Sequence, residues 1–176
     1  DWKGEPPAWP THVPDQFEGQ ALPEIRADKL TAAAVRSGIE NHGSLIVRQL
    51  ITSNQVDLLR NTIDRVLTAF DAAESGSVGP ELEGWYEPFH QDRNAERPEK
   101  RSKGAMLTVD SPPAHFDLLE IFESCGLSAV IRDFFGEPSA LLSRKGTLRR
   151  VHNDGQNGGW HQDGGFLGED IRSLNV

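Results

Sequence analysis

The chain has 176 residues, of which 36% are hydrophobic and 26% are charged, so its size and composition fit one globular domain or most of one. Its 27 acidic residues outnumber its 18 basic residues, and the net charge of −9 disfavours nucleic acid and anionic membrane surfaces as partners. We expect neither a membrane span nor a signal peptide, because no apolar run reaches roughly 18 residues. The single cysteine, Cys125, provides no disulfide framework and predicts a cytoplasmic location.

The N-terminal part of the sequence predicts an arm, a helix and a strand. Residues 1–27 are rich in proline and are expected to form an irregular arm. Asp28 is the expected N-cap of a helix that runs to Asn41 and ends at Gly43, because glycine tolerates the left-handed backbone of a helix end. The apolar run that follows predicts a strand from Ser44 to Leu50.

The next segment predicts a longer helix of about five turns, with Ser53 as its N-cap. Apolar residues recur at helical spacing along it. They predict one face that packs in the core and holds no cofactor: Val56, Leu59, Ile63, Val66, Leu67 and Phe70.

A long variable loop is predicted over residues 73–103, which contain several glycines and prolines. The aromatic residues Trp85, Tyr86 and Phe89 lie near its middle. The loop is either a flap that covers a substrate or a segment that these side chains pin to the core. The second interpretation is slightly favoured, because aromatic anchors commonly serve packing alone.

The second half of the chain begins with a predicted strand from Ala105 to Val109. Two helices are then expected between Pro113 and Phe135, meeting near Gly126 and ended by Gly136. Further strands are predicted at 139–143, at 146–151, around His161 and at 171–176.

Helices followed by strands with Gly- and Pro-containing turns predict an α+β fold whose strands form one end of a barrel. We expect a single domain over residues 1–176. It would comprise the arm at 1–27, a helical part at 28–138 that includes the loop 73–103, and barrel strands with a metal motif at 139–176.

The pattern His-x-Asp predicts the metal site. Residues two apart on a strand face the same side about 6.6 Å apart, so one strand can supply one imidazole and one carboxylate of a 2-His-1-carboxylate iron site. The pattern occurs four times, and only its context distinguishes the copies: His90/Asp92, His115/Asp117, His152/Asp154 and His161/Asp163.

Three of these contexts do not fit a metal strand. His90/Asp92 leads into a charged run that contains a proline, and His152/Asp154 lies among turn residues. His115/Asp117 opens a predicted helix, where residues two apart diverge by roughly 200°. His161/Asp163 instead follows a predicted strand and a Gly-rich turn and precedes small residues that leave room for a ligand. The alternative is an ordinary edge-strand histidine beside a solvated aspartate.

The segment Trp160-His161-Gln162-Asp163-Gly164-Gly165-Phe166-Leu167-Gly168, together with the preceding Leu148-Arg149-Arg150-Val151, resembles the phytanoyl-CoA dioxygenase family of Fe(II)- and 2-oxoglutarate-dependent oxygenases. The resemblance implies N-terminal helices packed on a double-stranded β-helix, a jelly-roll or cupin-like barrel. It also implies that His161 and Asp163 are iron ligands. The family's second histidine and its 2-oxoglutarate-binding arginine lie further downstream and match no residue of this chain, so we expect a C-terminal part beyond Val176.

The function that this resemblance implies is oxidative decarboxylation of 2-oxoglutarate with O₂, coupled to hydroxylation of a small organic substrate. Arg149 is the predicted co-substrate contact within the barrel, although Arg149 and Arg150 could equally be exposed strand residues. Two other functions are left open. One is a fold relative that has lost catalysis and serves as a binding module, and the other is a cupin-like metalloenzyme that does not use 2-oxoglutarate.

Overall fold

A computed structural model describes residues 12–88, 105–141, 146–149 and 173–176. These residues combine helices with two small sheets, which confirms the predicted α+β class. The elements are β1 (Glu24–Arg26), α1 (Ala32–His42), β2 (Ile46–Arg48), α2 (Ser53–Glu74), β3 (Ala105–Leu107), α3 (Pro112–Ser124), α4 (Leu127–Phe135) and β4 (Thr147–Arg149). Among the described residues, no helix is both long enough and apolar enough to cross a bilayer.

Helix α1 begins later than the sequence predicts. The hydroxyl of Thr31 accepts a hydrogen bond from the Ala34 amide at 3.1 Å, so Thr31 is the N-cap. The prediction that Asp28 caps this helix is wrong, because Asp28 lies in a separate 3₁₀ turn after which Leu30 is extended. The predicted end is confirmed, since Gly43 adopts the left-handed conformation with φ of 76°.

Strand β1 lies within residues 1–27, which the sequence predicts to be irregular throughout, so that prediction is wrong at Glu24–Arg26. It pairs in parallel with β2, and the register places Glu24 opposite Ile46 and Arg26 opposite Arg48. Each strand has three residues, which is too short for an alternating pattern to be recognised. Strand β2 is also shorter than the predicted 44–50, and Gln49 just after it has a positive φ of 58°.

Helix α2 is capped by Thr52 rather than Ser53, which is its first helical residue. Thr52 and Gln55 form a reciprocal capping box, and this arrangement favours the earlier cap. The predicted apolar face is buried at Val66, Leu67 and Phe70, whereas Leu59 and Ile63 are half-buried.

Val56 is the exception on this face, since 40% of it is exposed and the prediction that it belongs to the core is wrong. In the first turn of α2 it is Gln55 that faces α3. The Gln55 side-chain amide donates to Ser124 Oγ at 3.0 Å.

Helices α3 and α4 meet at Gly126 and end at Gly136, as the sequence predicts. Both glycines are left-handed, with φ of 77° and 72°. Helix α3 packs against α2, and α4 packs against α1. In the second contact the Arg36 guanidinium lies 5.5 Å from the Phe134 ring centroid and donates to the Phe134 carbonyl.

The predicted strands of the second half are only partly present. The strand expected at 105–109 ends at Leu107, because Thr108–Asp110 turns into a 3₁₀ helix. Strand β4 confirms the described part of the prediction at 146–151. Residues 139–141 and 173–176 form no strand and are mostly exposed, so those predictions are wrong in the described positions.

Candidate functional site

The predicted iron ligands His161 and Asp163 lie outside the described residues, as do His90/Asp92 and His152/Asp154. The structure does describe β4, the strand that precedes the motif in the chain. Arg149, the predicted co-substrate contact, is the last residue of β4 and is exposed. Its proposed role therefore stays a prediction.

Strand β4 is attached to the helices through β3. The two strands are antiparallel, with Ala105 opposite Arg149 and Met106 opposite Leu148. Met106 is 3% exposed and belongs to the core cluster of the described residues, and Leu148 packs against that cluster. Because side chains alternate along a strand, Arg149 projects from the face of β4 opposite to Leu148.

A close backbone contact fixes the beginning of β4. The Thr108 amide donates to the Gly146 carbonyl at 3.0 Å. A Cβ atom at Gly146 would clash with the Thr108 hydroxyl, so a larger residue at that position requires the Thr108 side chain to move. Strand β4 is thus held by side-chain packing at Leu148 and by the backbone hydrogen bond at Gly146.

The His115/Asp117 copy of the motif lies on α3, as predicted. The Asp117 carboxylate accepts a hydrogen bond from Thr62 Oγ1 at 2.7 Å, so it serves the contact between α2 and α3. Within the described ranges, no three His, Cys, Asp or Glu side chains come together as a metal-binding group.

The predicted loop 73–103 begins two residues late, because α2 continues to Glu74, and two aromatic side chains pin its described part to that helix. The Arg65 guanidinium lies 4.3 Å from the Trp85 ring centroid and donates to the Glu81 carbonyl at 2.7 Å. Tyr86 packs edge-on against Phe70 with the ring centroids 5.3 Å apart. These contacts support the interpretation of Trp85 and Tyr86 as packing anchors, while Phe89 lies outside the described residues.

A buried polar corner, which no sequence pattern predicts, joins this loop to α3. Thr108, Asp110 and Ser111 are each at most 7% exposed, although all three are polar. The Glu87 amide donates to the Asp110 carbonyl at 2.8 Å, which brings the loop alongside the start of α3. The sequence Asp110-Ser111-Pro112-Pro113 marks a helix start, but nothing in the pattern shows that its polar side chains are buried.

The chain matches no protein-family model, no curated protein and no solved structure. The resemblance to the phytanoyl-CoA dioxygenase family therefore rests on the sequence segments at 148–151 and 160–168.

Proposed function

We propose that this chain belongs to an Fe(II)- and 2-oxoglutarate-dependent oxygenase that hydroxylates a small organic substrate. The segment Trp160-His161-Gln162-Asp163-Gly164-Gly165-Phe166 carries the proposal. The strand β4, paired with β3 and packed on the helical core, agrees with a motif carried by a sheet. We also propose that β3 and β4 belong to a jelly-roll barrel and that the protein is cytoplasmic, as its lone cysteine suggests.

The donor set fits the proposed metal. One imidazole nitrogen from His161 and one carboxylate oxygen from Asp163 suit a borderline divalent ion such as Fe(II), and they leave positions for a co-substrate and O₂. Iron with 2-oxoglutarate and O₂ would supply the oxidising chemistry when bound. The residues of the protein would hold the ion, orient the substrate and exclude water.

Arg149 is the residue of this chain that we propose to bind the co-substrate. A guanidinium group matches a carboxylate with two parallel hydrogen bonds, and 2-oxoglutarate carries two carboxylates. Arg149 is exposed, as an ordinary strand arginine would also be, so the effect of Arg149→Ala on keto-acid affinity decides between the two interpretations.

The decisive experiment is an anaerobic Fe(II) titration of the protein, including any sequence that follows Val176, with and without 2-oxoglutarate, followed by visible absorption. We expect a weak charge-transfer band that needs both the metal and the keto acid. His161→Ala and Asp163→Ala should each abolish it. His152→Ala and Asp154→Ala are matched controls, because they remove the same pair of side chains from another His-x-Asp copy, and they should retain the band.

The other functions correspond to distinct results of the same titration. Fe(II) binding that depends on His161 and Asp163 but is indifferent to 2-oxoglutarate would point to a cupin-like metalloenzyme. Absence of metal binding in the same protein would point to a non-catalytic binding module. Either result would overturn the oxygenase proposal.

A further inference from the structure

Ser111 and His115 place two buried polar atoms on one face of α3. Ser111 is fully buried, and neither its Oγ nor the Nδ1 atom of His115 has a hydrogen-bond partner within the described residues. Residues four apart on a helix are neighbours on the same face. Ala114, which belongs to the buried core, lies beside them, so this face is directed into the protein.

The backbone amide and carbonyl of Ser111 both form hydrogen bonds, and only its side-chain hydroxyl has no partner within the described residues. Its amide donates to the Thr108 carbonyl at 3.0 Å, and its carbonyl accepts from the His115 amide at 2.9 Å. Ser111 occupies the N-cap position, yet its hydroxyl makes no capping hydrogen bond. Pro113 contributes to this, because it is the second helical residue and has no amide hydrogen to offer to the N-cap hydroxyl.

Buried polar groups in proteins are almost always hydrogen-bonded, and internal water commonly completes the bonding of groups that the chain leaves unpaired. We propose that Ser111 Oγ and His115 Nδ1 bind one internal water molecule between them. The site lies at the corner where the 3₁₀ turn Thr108–Asp110, the segment around Glu87 and the first turn of α3 meet.

The chemistry of this corner favours a neutral ligand over an anion. The buried carboxylate of Asp110 directly precedes Ser111, and the two prolines remove amide donors that would bind an anion at a helix start. A hydroxyl both donates and accepts, and an imidazole nitrogen does either according to its tautomer. Water can complement both tautomers. The proposal does not depend on the oxygenase activity.

The sign of a stability change tests the proposal in the ligand-free protein. If Ser111 Oγ binds a water molecule, Ser111→Ala removes a hydrogen bond and lowers the midpoint of urea unfolding. If the hydroxyl is buried without a partner, the same change removes an unfavourable group and leaves the midpoint unchanged or raises it. Ser128→Ala is the control, because Ser128 is an exposed serine near the start of α4.

A double-mutant cycle with His115→Phe shows whether the two residues share a ligand. We expect the double variant to be less destabilised than the sum of the single variants, with a coupling of about threefold or more in the unfolding equilibrium constant. Additive effects would overturn the proposal, since a serine that caps the helix would lose stability independently of His115.

A high-resolution crystal structure provides the second measurement, which decides the matter even if His115→Phe does not fold. The proposal requires a solvent peak within about 3.2 Å of both Ser111 Oγ and His115 Nδ1. A corner with no such peak, or with another protein group bonded to both atoms, would contradict it.

Discussion

Thr62 Oγ1 donates a hydrogen bond of 2.7 Å to Asp117 Oδ2, and this bond joins the middle of α2 to the N-terminal half of α3. Thr62 is 3% exposed, so the bond is made at the buried side of the helix pair. Asp117 belongs to a His-x-Asp sequence with the same spacing as the proposed iron motif. On a helix its carboxylate contributes to packing instead, which shows why the motif must be judged together with its secondary structure.

Replacing Thr62 tests how much this bond contributes. Thr62→Val keeps the shape of the side chain but removes the donor and leaves the carboxylate of Asp117 without this partner. We expect a loss of about 1–3 kcal/mol in the free energy of unfolding, measured in urea. Thr68→Val is the matched control, because the Thr68 hydroxyl bonds the Asp64 carbonyl of its own helix at an exposed position. Equal losses in the two variants would contradict this interpretation.

The local pattern of the sequence predicts the helices well, because the signals for a helix lie within it. The signals for the apolar face of α2 come from residues a few positions apart. The same is true of the glycines that end α3 and α4, Gly126 and Gly136. The hydrogen bond between Thr62 and Asp117 joins residues 55 positions apart, so no local sequence pattern predicts it. Strand β1 also depends on a distant part of the chain, because its pairing partner β2 follows only after helix α1.

The candidate site could be predicted from its sequence only as far as the spacing of its ligands. The expectation that His161 and Asp163 share one face comes from strand geometry applied to the strand predicted around His161. The orientation of Arg149 follows only from the packing of its neighbour Leu148 on the core. The buried corner at Ser111 depends on the 3₁₀ turn Thr108–Asp110, where the sequence predicts that the strand continues to Val109.

Gly38 gives a second prediction, in which packing opposes helix propensity. A Cβ atom there would lie 2.8 Å from Leu45 Cβ and 3.1 Å from the Ser44 carbonyl oxygen. Gly38→Ala should therefore lower the thermal midpoint, because overpacking costs about 1–3 kcal/mol and exceeds the gain of about 1 kcal/mol in helix propensity. Ala33→Gly, at an exposed position of the same helix, measures the propensity difference alone. A higher thermal midpoint for Gly38→Ala would contradict this prediction, because it would show that Leu45 and Ser44 move away from the new Cβ atom at little cost.

Met106 links the strand pair to the helices and provides a third prediction. It is 3% exposed within the cluster that contains Val66, and it lies opposite Leu148 in the strand register. Met106→Ala should reduce the free energy of unfolding by about 2–5 kcal/mol, since it leaves a cavity that rigid neighbours cannot fill. Leu58→Ala is the comparison, because Leu58 is 45% exposed and should lose much less. If urea unfolding shows only a small loss for Met106→Ala, Met106 does not contribute to the stability of the core as its burial predicts.

The hydrogen bond between Asp15 and His42 predicts a dependence of stability on pH. Asp15 Oδ1 lies 2.9 Å from His42 Nε2 and accepts the Phe17 amide at 2.8 Å. The hydrogen bond from His42, followed by that from Phe17, holds the pKa of the Asp15 carboxyl below its ordinary value of 3.8. Because the pKa is lower in the folded state, the stabilisation is fully present above pH 3.8 and is lost as the pH falls through the folded pKa.

Asp15→Asn measures this contribution. The difference in thermal midpoint between the wild type and Asp15→Asn should be present above pH 3.8 and should shrink as the pH falls below it. In a His42→Gln background the same substitution should have a smaller effect, because the main partner of the carboxylate is gone. A difference that persists unchanged into strong acid, or that is the same in both backgrounds, would rule out the pair as its cause.

Arg149 gives the prediction that connects the fold to the proposed chemistry. Leu148 packs on the core and Arg149 projects from the opposite face of β4, so Arg149→Ala leaves the strand packing intact. If its guanidinium binds 2-oxoglutarate, its loss should raise the keto-acid concentration at half-maximal charge-transfer absorption by about 10- to 100-fold without abolishing Fe(II) binding. Arg149→Lys should recover only part of the affinity, because an ammonium group cannot form the paired hydrogen bonds.

Arg150→Ala is the matched control, since alternation along an extended strand would direct neighbouring side chains to opposite faces. Equal effects of Arg149→Ala and Arg150→Ala would indicate a general loss of positive charge, and no effect of Arg149→Ala would remove Arg149 from the site.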